Sequence, residues 1–193
     1  MRLALSVGHG SKWKDGQTVP DPGAVHIQTG VTEYDTCRRI ARCLEVLLGE
    51  YRPLHVLWAP SGVPLQQRVQ TIQQAHATFN VDLAVEIHLN GFNDPLVDGC
   101  EALIPDVSRE GDRGVEAASR LQDSLCAAIG RRNRGVKPRD DLYFLTKLSP
   151  LMSAIMVEPF FITNDNSAAE VIDGDLVQRT AYGLFRGILA WLG

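Results

Sequence analysis

Short, almost wholly apolar runs alternate along this chain with longer stretches whose apolar residues recur every three or four positions. The runs Arg2–Val7, Leu54–Ala59, Leu83–His88, Cys100–Ile104, Leu142–Thr146 and Ala154–Val157 read as strands. Strands this uniformly apolar are covered on both faces, as in parallel sheets. Between them lie four helical stripes. One carries Cys37, Ile40, Ala41, Leu44, Leu47 and Leu48; a second carries Leu65, Val69, Ile72, His76 and Phe79. A third carries Val115, Ala118, Leu121, Leu125 and Ile129; the last carries Val177, Ala181, Leu184, Phe185, Ile188 and Leu192. Strands alternating with helices predict an α/β fold with a largely parallel sheet. A length of 193 residues, without repeats or a linker, predicts one domain over residues 1–193.

Composition excludes several classes. With 45% hydrophobic and 22% charged residues the chain is not disordered. Lys plus Arg is 19 against 23 for Asp plus Glu, a net charge of −4, which argues against a nucleic-acid or anionic-membrane binder. No apolar run approaches the roughly 20 residues of a membrane span. The apolar part of Met1–Gly10 is about five residues, short of a signal peptide's usual 7–15, and reads as a buried strand. The expectation is cytosolic synthesis, or a form trimmed from a longer chain. Cys37, Cys43, Cys100 and Cys126 make no C-x-x-C pair, which disfavours a zinc ribbon. Cys37 and Cys126 fall on or beside helical stripes and read as buried, inert thiols.

Two stretches look irregular. Gly10–Val31 holds Gly10, Gly16, Gly23, Gly30, Pro20 and Pro22; Arg131–Asp141 holds Arg131, Arg132, Arg134, Lys137 and Arg139 around Gly135 and Pro138. Long loops in compact domains are usually functional or mobile. The basic stretch is either a solvated turn or a clamp for an anionic or polar substrate.

In open α/β sheets ligands gather beyond the carboxyl ends of the strands. His9 follows the first strand, His88 closes the third and Glu158 closes the last. Glu33 falls at a helix start, Thr32-Glu33-Tyr34-Asp35, with Thr32 as N-cap. Two readings stand side by side. Glu33 in a first turn can simply favour the helix dipole, worth about 0.3–1 kcal/mol, and a strand-end histidine can be a hydrogen-bonded structural residue. Alternatively, two histidines and a carboxylate with an open fourth position make a catalytic zinc site. His9, Glu33 and His88 suit the ligand role, and Glu158 suits that of an unligated carboxylate that moves the proton of a metal-bound water.

The flanking residues add a pattern. Val7-Gly8-His9-Gly10, Asp21-Pro22-Gly23-Ala24, Gly30-Val31-Thr32-Glu33, Ile87-His88-Leu89-Asn90, Arg134-Gly135-Val136-Lys137 and Val157-Glu158-Pro159-Phe160-Phe161-Ile162-Thr163-Asn164 occur in one order. That order resembles the zinc-dependent N-acetylmuramoyl-L-alanine amidases of the type 3 family, over residues 3 to about 190. The resemblance implies a central, mostly parallel, six-stranded twisted sheet with helices on both faces. It implies one Zn²⁺ held by His9, Glu33 and His88, with Glu158 as the catalytic carboxylate. It implies hydrolysis of the amide between N-acetylmuramic acid and the L-alanine of the peptidoglycan stem peptide. Asn90 is assigned to site support or substrate contact, and Arg134 to substrate contact.

Ser11–Pro20 is longer than the family's usual link and reads as a cleft wall. Glu86 stands where the family has a small residue and reads as a partner of the site or a strand-edge carboxylate. Pro159 stands where the family often has a small residue. His26, His55 and His76 fit no motif, and Trp13 either stacks on a sugar or anchors its loop. Competing functions are a zinc peptidase and an inactive wall-binding module. The setting is a phage or prophage lysin, or a catalytic domain of a secreted remodelling amidase, and a monomer is expected.

Overall fold

The computed structural model describes residues 1–49, 51, 54–106 and 113–193. Strand β1 (Arg2–Val7) runs into a hairpin of β2 (Gly10–Lys14) and β3 (Gln17–Asp21), followed by helix α1 (Glu33–Gly49). Then come β4 (His55–Trp58), α2 (Leu65–Phe79), β5 (Leu83–Ile87), β6 (Cys100–Pro105) and α3 (Arg113–Ile129). The chain closes with β7 (Asn133–Arg139), α4 (Tyr143–Leu148), β8 (Ser153–Glu158), α5 (Asp165–Asp173) and α6 (Asp175–Leu192).

Six strands form the central sheet in the order β4-β1-β5-β8-β6-β7. The first four are mutually parallel; β6 runs antiparallel to β8, and β7 parallel to β6. The expected mostly parallel six-stranded sheet is therefore present, with one antiparallel pair. Side chains alternate across it with period two. Leu3, Leu5, Val85, Ile87, Ala102 and Val157 face a core shared with α1, α3 and α6. Ala4, Ala84, Leu103, Ala154 and Met156 face a smaller core under α2 and α4.

Three expectations are corrected. Leu142–Thr146 is not a strand but the start of α4, in which Phe144, Leu145 and Leu148 are buried. Its aromatic, β-favouring start hid a helical spacing that only Leu148 reveals. Arg131–Asp141 is not a loop: most of it is β7, an edge strand paired with β6. Charge and Pro138 suit an unpaired sheet edge, and Gly135, at φ 86°, accompanies an irregularity in the pairing. Gly10–Val31 begins with the β2–β3 hairpin, whose turn residues Asp15 and Gly16 both have positive φ, 50° and 78°.

Candidate active site

Because β1, β5 and β8 are parallel, their carboxyl ends share one edge of the sheet, and this edge receives His9, His88 and Glu158. Helix α1 starts at the same edge and brings Glu33. Ligand atoms of His9, Glu33 and His88 all lie within 4.8 Å of one another. Glu33 Oε1 is 3.1 Å from His9 Nε2 and 2.9 Å from His88 Nδ1. Two backbone donors fix the carboxylate: Ala24 N–H donates to Oε2 at 2.9 Å and Leu89 N–H to Oε1 at 3.0 Å. The helix-start glutamate is thus buried and aimed inward rather than solvated at a helix end.

The glycines of the flanking motifs explain themselves here. A Cβ on Gly8 would lie 2.2 Å from the His88 ring, and one on Gly23 would lie 2.5 Å from Glu33 Oε2. Both positions must be bare for the three side chains to meet.

Each histidine has its outward nitrogen held by a second carboxylate. Asp21 Oδ2, at the end of the hairpin, is 3.1 Å from His9 Nδ1. Glu86 Oε2 is 3.2 Å from His88 Nε2. Glu86 is fully buried and accepts from Ser6 Oγ and Arg68 Nε. Such outer carboxylates set the tautomer that leaves the inward nitrogen free to ligate. A nitrogen, nitrogen, oxygen donor set with oriented imidazoles fits a metal ion such as zinc.

Without a metal the cluster shares protons. Burial disfavours a charge on His88, but hydrogen bonds and attraction from Glu33 and Glu86 outweigh it and raise its pKa to about 10. Burial likewise opposes ionisation of Glu33, and the two histidines overcome it, holding the carboxyl far below its usual range. Glu158 behaves oppositely: burial dominates and pushes it up to about 7. Its carboxylate makes no hydrogen bond or ion pair among the described residues.

Glu158 lines an open cleft of about 380 Å³ together with His9 and His88. Trp13 of the hairpin and Tyr143 of α4 also line it, and both are solvent-exposed. The Ser11–Pro20 segment therefore does border the cleft.

Asn90 and Arg134, which do not line this cleft, are joined by a residue the motif reading missed. Glu101 of β6 accepts from Asn90 Nδ2 at 2.9 Å, Arg134 Nε at 2.5 Å and Lys137 Nζ at 2.6 Å. The Arg134 guanidinium also lies over the Phe161 ring, 5.0 Å from its centroid. Arg131 points elsewhere, bound to Asp98 and Glu170. The signals for Glu101 and for Arg68 were in the sequence: a charge inside an apolar strand run, and a charge on an apolar helical stripe.

The remaining histidines stay outside. His26 bonds Thr29 and Asp165, and His76 bonds the Val81 carbonyl. His55 is exposed at the far edge of the sheet. All four cysteines are free thiols, Cys37 and Cys100 buried and Cys43 and Cys126 partly so.

Over residues 3–190 the chain matches the type 3 amidase family, described as N-acetylmuramoyl-L-alanine amidase, and it belongs to that family. A curated relative, N-acetylmuramoyl-L-alanine amidase LytC of Bacillus subtilis (strain 168), is 27% identical over 191 residues, covering 98% of this chain and 35% of LytC. The uncharacterized protein YqiI of the same organism is 31% identical over 125 residues, 64% of this chain and 56% of YqiI. The chain thus spans only part of the length of these relatives. Among solved structures, N-acetylmuramoyl-L-alanine amidase AmiC2 of Nostoc punctiforme superposes with a TM-score of 0.81 at 25% identity, covering 100% of this chain and 97% of that one. The catalytic domain of CwlV from Bacillus (Paenibacillus) polymyxa shares the fold, with a TM-score of 0.79 at 23% identity over 100% of this chain and 98% of that one.

Proposed function

We propose that residues 1–193 form one catalytic domain that hydrolyses the amide between N-acetylmuramic acid and L-alanine in peptidoglycan, with zinc as cofactor. The observation that carries this reading is that Glu158 lines one cleft with His9 and His88, whose ligand atoms cluster with those of Glu33 within 4.8 Å. Membership of the amidase family supports the choice of bond.

His9, Glu33 and His88 would hold the zinc, which when bound makes its water ionisable near neutral pH and polarises the scissile carbonyl. Glu158 accepts the proton of the attacking water and returns it to the departing L-alanine nitrogen. Burial makes this carboxyl hold a proton more readily than a solvated one, which suits a group that must both take a proton and return it. With no partner among the described residues, its oxygens are available for that transfer. Asp21 and Glu86 keep the imidazoles oriented. An open cleft suits a polymer: Trp13 and Tyr143 line it, and Arg134 and Lys137 lie beyond it on β7, bound to Glu101 of the strand next to Glu158. The substrate lies in the cell wall, so the protein acts there.

The test is product analysis on digested peptidoglycan. New N-terminal L-alanine and free lactyl carboxylates are expected, lost on chelation and restored by zinc. Cleavage within the stem peptide instead would assign the chain to a peptidase.

A further inference from the structure

Arg68 and Glu86 form an ion pair in the smaller core, both side chains almost inaccessible, with Nε 3.2 Å from Oε1. Charges are rarely placed there, because removing two ions from water costs several kcal/mol each unless further hydrogen bonds complete them. Here those further bonds lead to both histidines of the cluster. Glu86 Oε1 is filled by Ser6 Oγ, at 2.9 Å, and by Arg68, so Oε2 is the oxygen left for His88 Nε2. Arg68 Nη1 donates to the carbonyl of His9 at 2.9 Å and to that of Val63 at 2.8 Å. His9 needs such an anchor, since its φ of 61° is an uncommon conformation for a residue with a side chain.

We propose that Arg68 and Glu86 are positioning residues that set the affinity of the site for its metal, by holding the His9 backbone and the His88 ring from one shared ion pair. This rests on the reading of His9, Glu33 and His88 as ligands. The register makes the device possible. Ser6 and Glu86 are direct neighbours on β1 and β5, both pointing toward α2, and Arg68 is one turn into that helix. Two histidines 79 positions apart in the chain (88 − 9) are thereby adjusted together. The carboxylate is oriented before any ion arrives, so binding need not order it. A lysine at position 68 could not reach all three acceptors, because the planar guanidinium fork is what spans them.

The test measures the zinc dissociation constant of the parent and of Glu86→Gln, Arg68→Met and the double variant, by competition with a chromophoric chelator. Circular dichroism and thermal unfolding of the metal-free proteins control for folding. Outer partners of metal-bound histidines typically contribute 10–100-fold in affinity, so Glu86→Gln and Arg68→Met are each expected to weaken zinc binding by about that much. The double variant should match the worse single, not the product of the two, because the pair acts as one unit. The cobalt(II)-substituted Glu86→Gln protein should show shifted ligand-field bands, reporting a reoriented His88. A pair that only stabilises the fold would lower the melting temperature and leave the dissociation constant and bands unchanged. If Arg68→Met does not fold, the isosteric Glu86→Gln decides alone. A folded Glu86→Gln protein binding zinc within twofold of the parent overturns the proposal. His88→Ala separates the two readings: if it too retains full zinc affinity, the ligand assignment itself has failed.

Discussion

Glu101 and Glu158 sit directly opposite each other across the antiparallel pair β6–β8, and their protons are set in opposite directions. Burial raises both, but on Glu101 the hydrogen bonds and charges of Lys137 and Arg134 prevail and hold it below its ordinary value. On Glu158 burial outweighs the attraction of His88 and Arg139 and pushes the carboxyl up to about 7, and the negative Glu101 beside it adds to the rise. Two carboxylates on neighbouring strands thus differ because Glu101 is hydrogen-bonded directly to its cations, whereas Glu158 has no such bond among the described residues. Replacing Glu101 by Gln removes a like charge and frees two cations, and both effects favour ionised Glu158. Its pKa in the metal-free protein should therefore fall below 7, read from the carboxyl carbon shift in an NMR titration. An unchanged or higher midpoint would refute this coupling.

Zinc binding should release protons. In the metal-free protein His88 stays protonated until about pH 10, yet a ligating Nδ1 must be bare. Below that pH each ion must displace a proton from His88, and His9, whose pKa is also raised, adds to the release near neutral pH, so apparent affinity rises with pH. Calorimetry in two buffers of different ionisation heat measures the number directly. Release of no proton at pH 7.5 would show that the His88–Glu33 contact does not hold a proton as described.

Glu158→Ala and His88→Ala should fail in different ways. A positioned general base contributes typically 10²–10⁴-fold, so Glu158→Ala should lose about that much activity while keeping its zinc. His88→Ala should lose metal and activity together. Metal analysis of both purified proteins beside their rates is sufficient, and release of zinc from Glu158→Ala would make Glu158 a ligand.

How much of this was legible in sequence follows from the range of each signal. The apolar runs of β1, β5 and β8 and the residues that end them needed only local pattern, and strand parallelism then put His9, His88 and Glu158 at one edge. The hairpin was also written locally, in Asp15-Gly16 between Trp13 and Thr18, but the prolines and glycines around it masked the alternation. β7 was harder, since an edge strand carries the charge and proline of a loop. α4 was misread because its first residues favour strands, and its helical spacing emerges only with Leu148. Glu101 and Arg68 stand out locally as charges in apolar patterns, but their roles come from partners distant in sequence, which one-dimensional periodicity cannot supply.

Helices α3 and α6 pack closely, and Gly187 marks where. A Cβ there would lie 2.7 Å from the Leu121 Cα and 3.2 Å from the Arg120 carbonyl, both backbone atoms that cannot swing aside. Helix propensity favours Ala over Gly by about 1 kcal/mol, whereas overpacking costs about 1–3 kcal/mol. Gly187→Ala should therefore be net destabilising by about 1 kcal/mol. Gly49→Ala, with nothing within 4 Å of the added carbon, should not be destabilising. Urea unfolding of the two variants checks the contrast, and a stabilised Gly187→Ala protein would mean the helices separate without cost.

Trp13 lines the cleft that holds Glu158, and Arg134 binds Glu101, the residue paired with Glu158 across β6–β8. Trp13 is about half exposed, at 51%, on a hairpin whose far end, Asp21, is bonded to His9. An exposed aromatic face lining an open cleft suits the apolar face of a sugar ring. Arg134 and Lys137 share one carboxylate, Glu101, so this group of three carries a net positive charge and suits the carboxylates of a stem peptide. Trp13→Ala should raise KM for intact peptidoglycan while leaving zinc content unchanged, and a soluble substrate retaining the stem peptide but shortened to one sugar should feel the loss less. Arg134→Met should raise KM for both substrates, because both retain the peptide. The two variants therefore separate by substrate, not by the size of their defects. Steady-state kinetics on polymer and fragment side by side make the comparison. If Trp13→Ala impairs both substrates equally and Arg134→Met neither, the sugar does not lie against the hairpin and the cations do not meet the peptide.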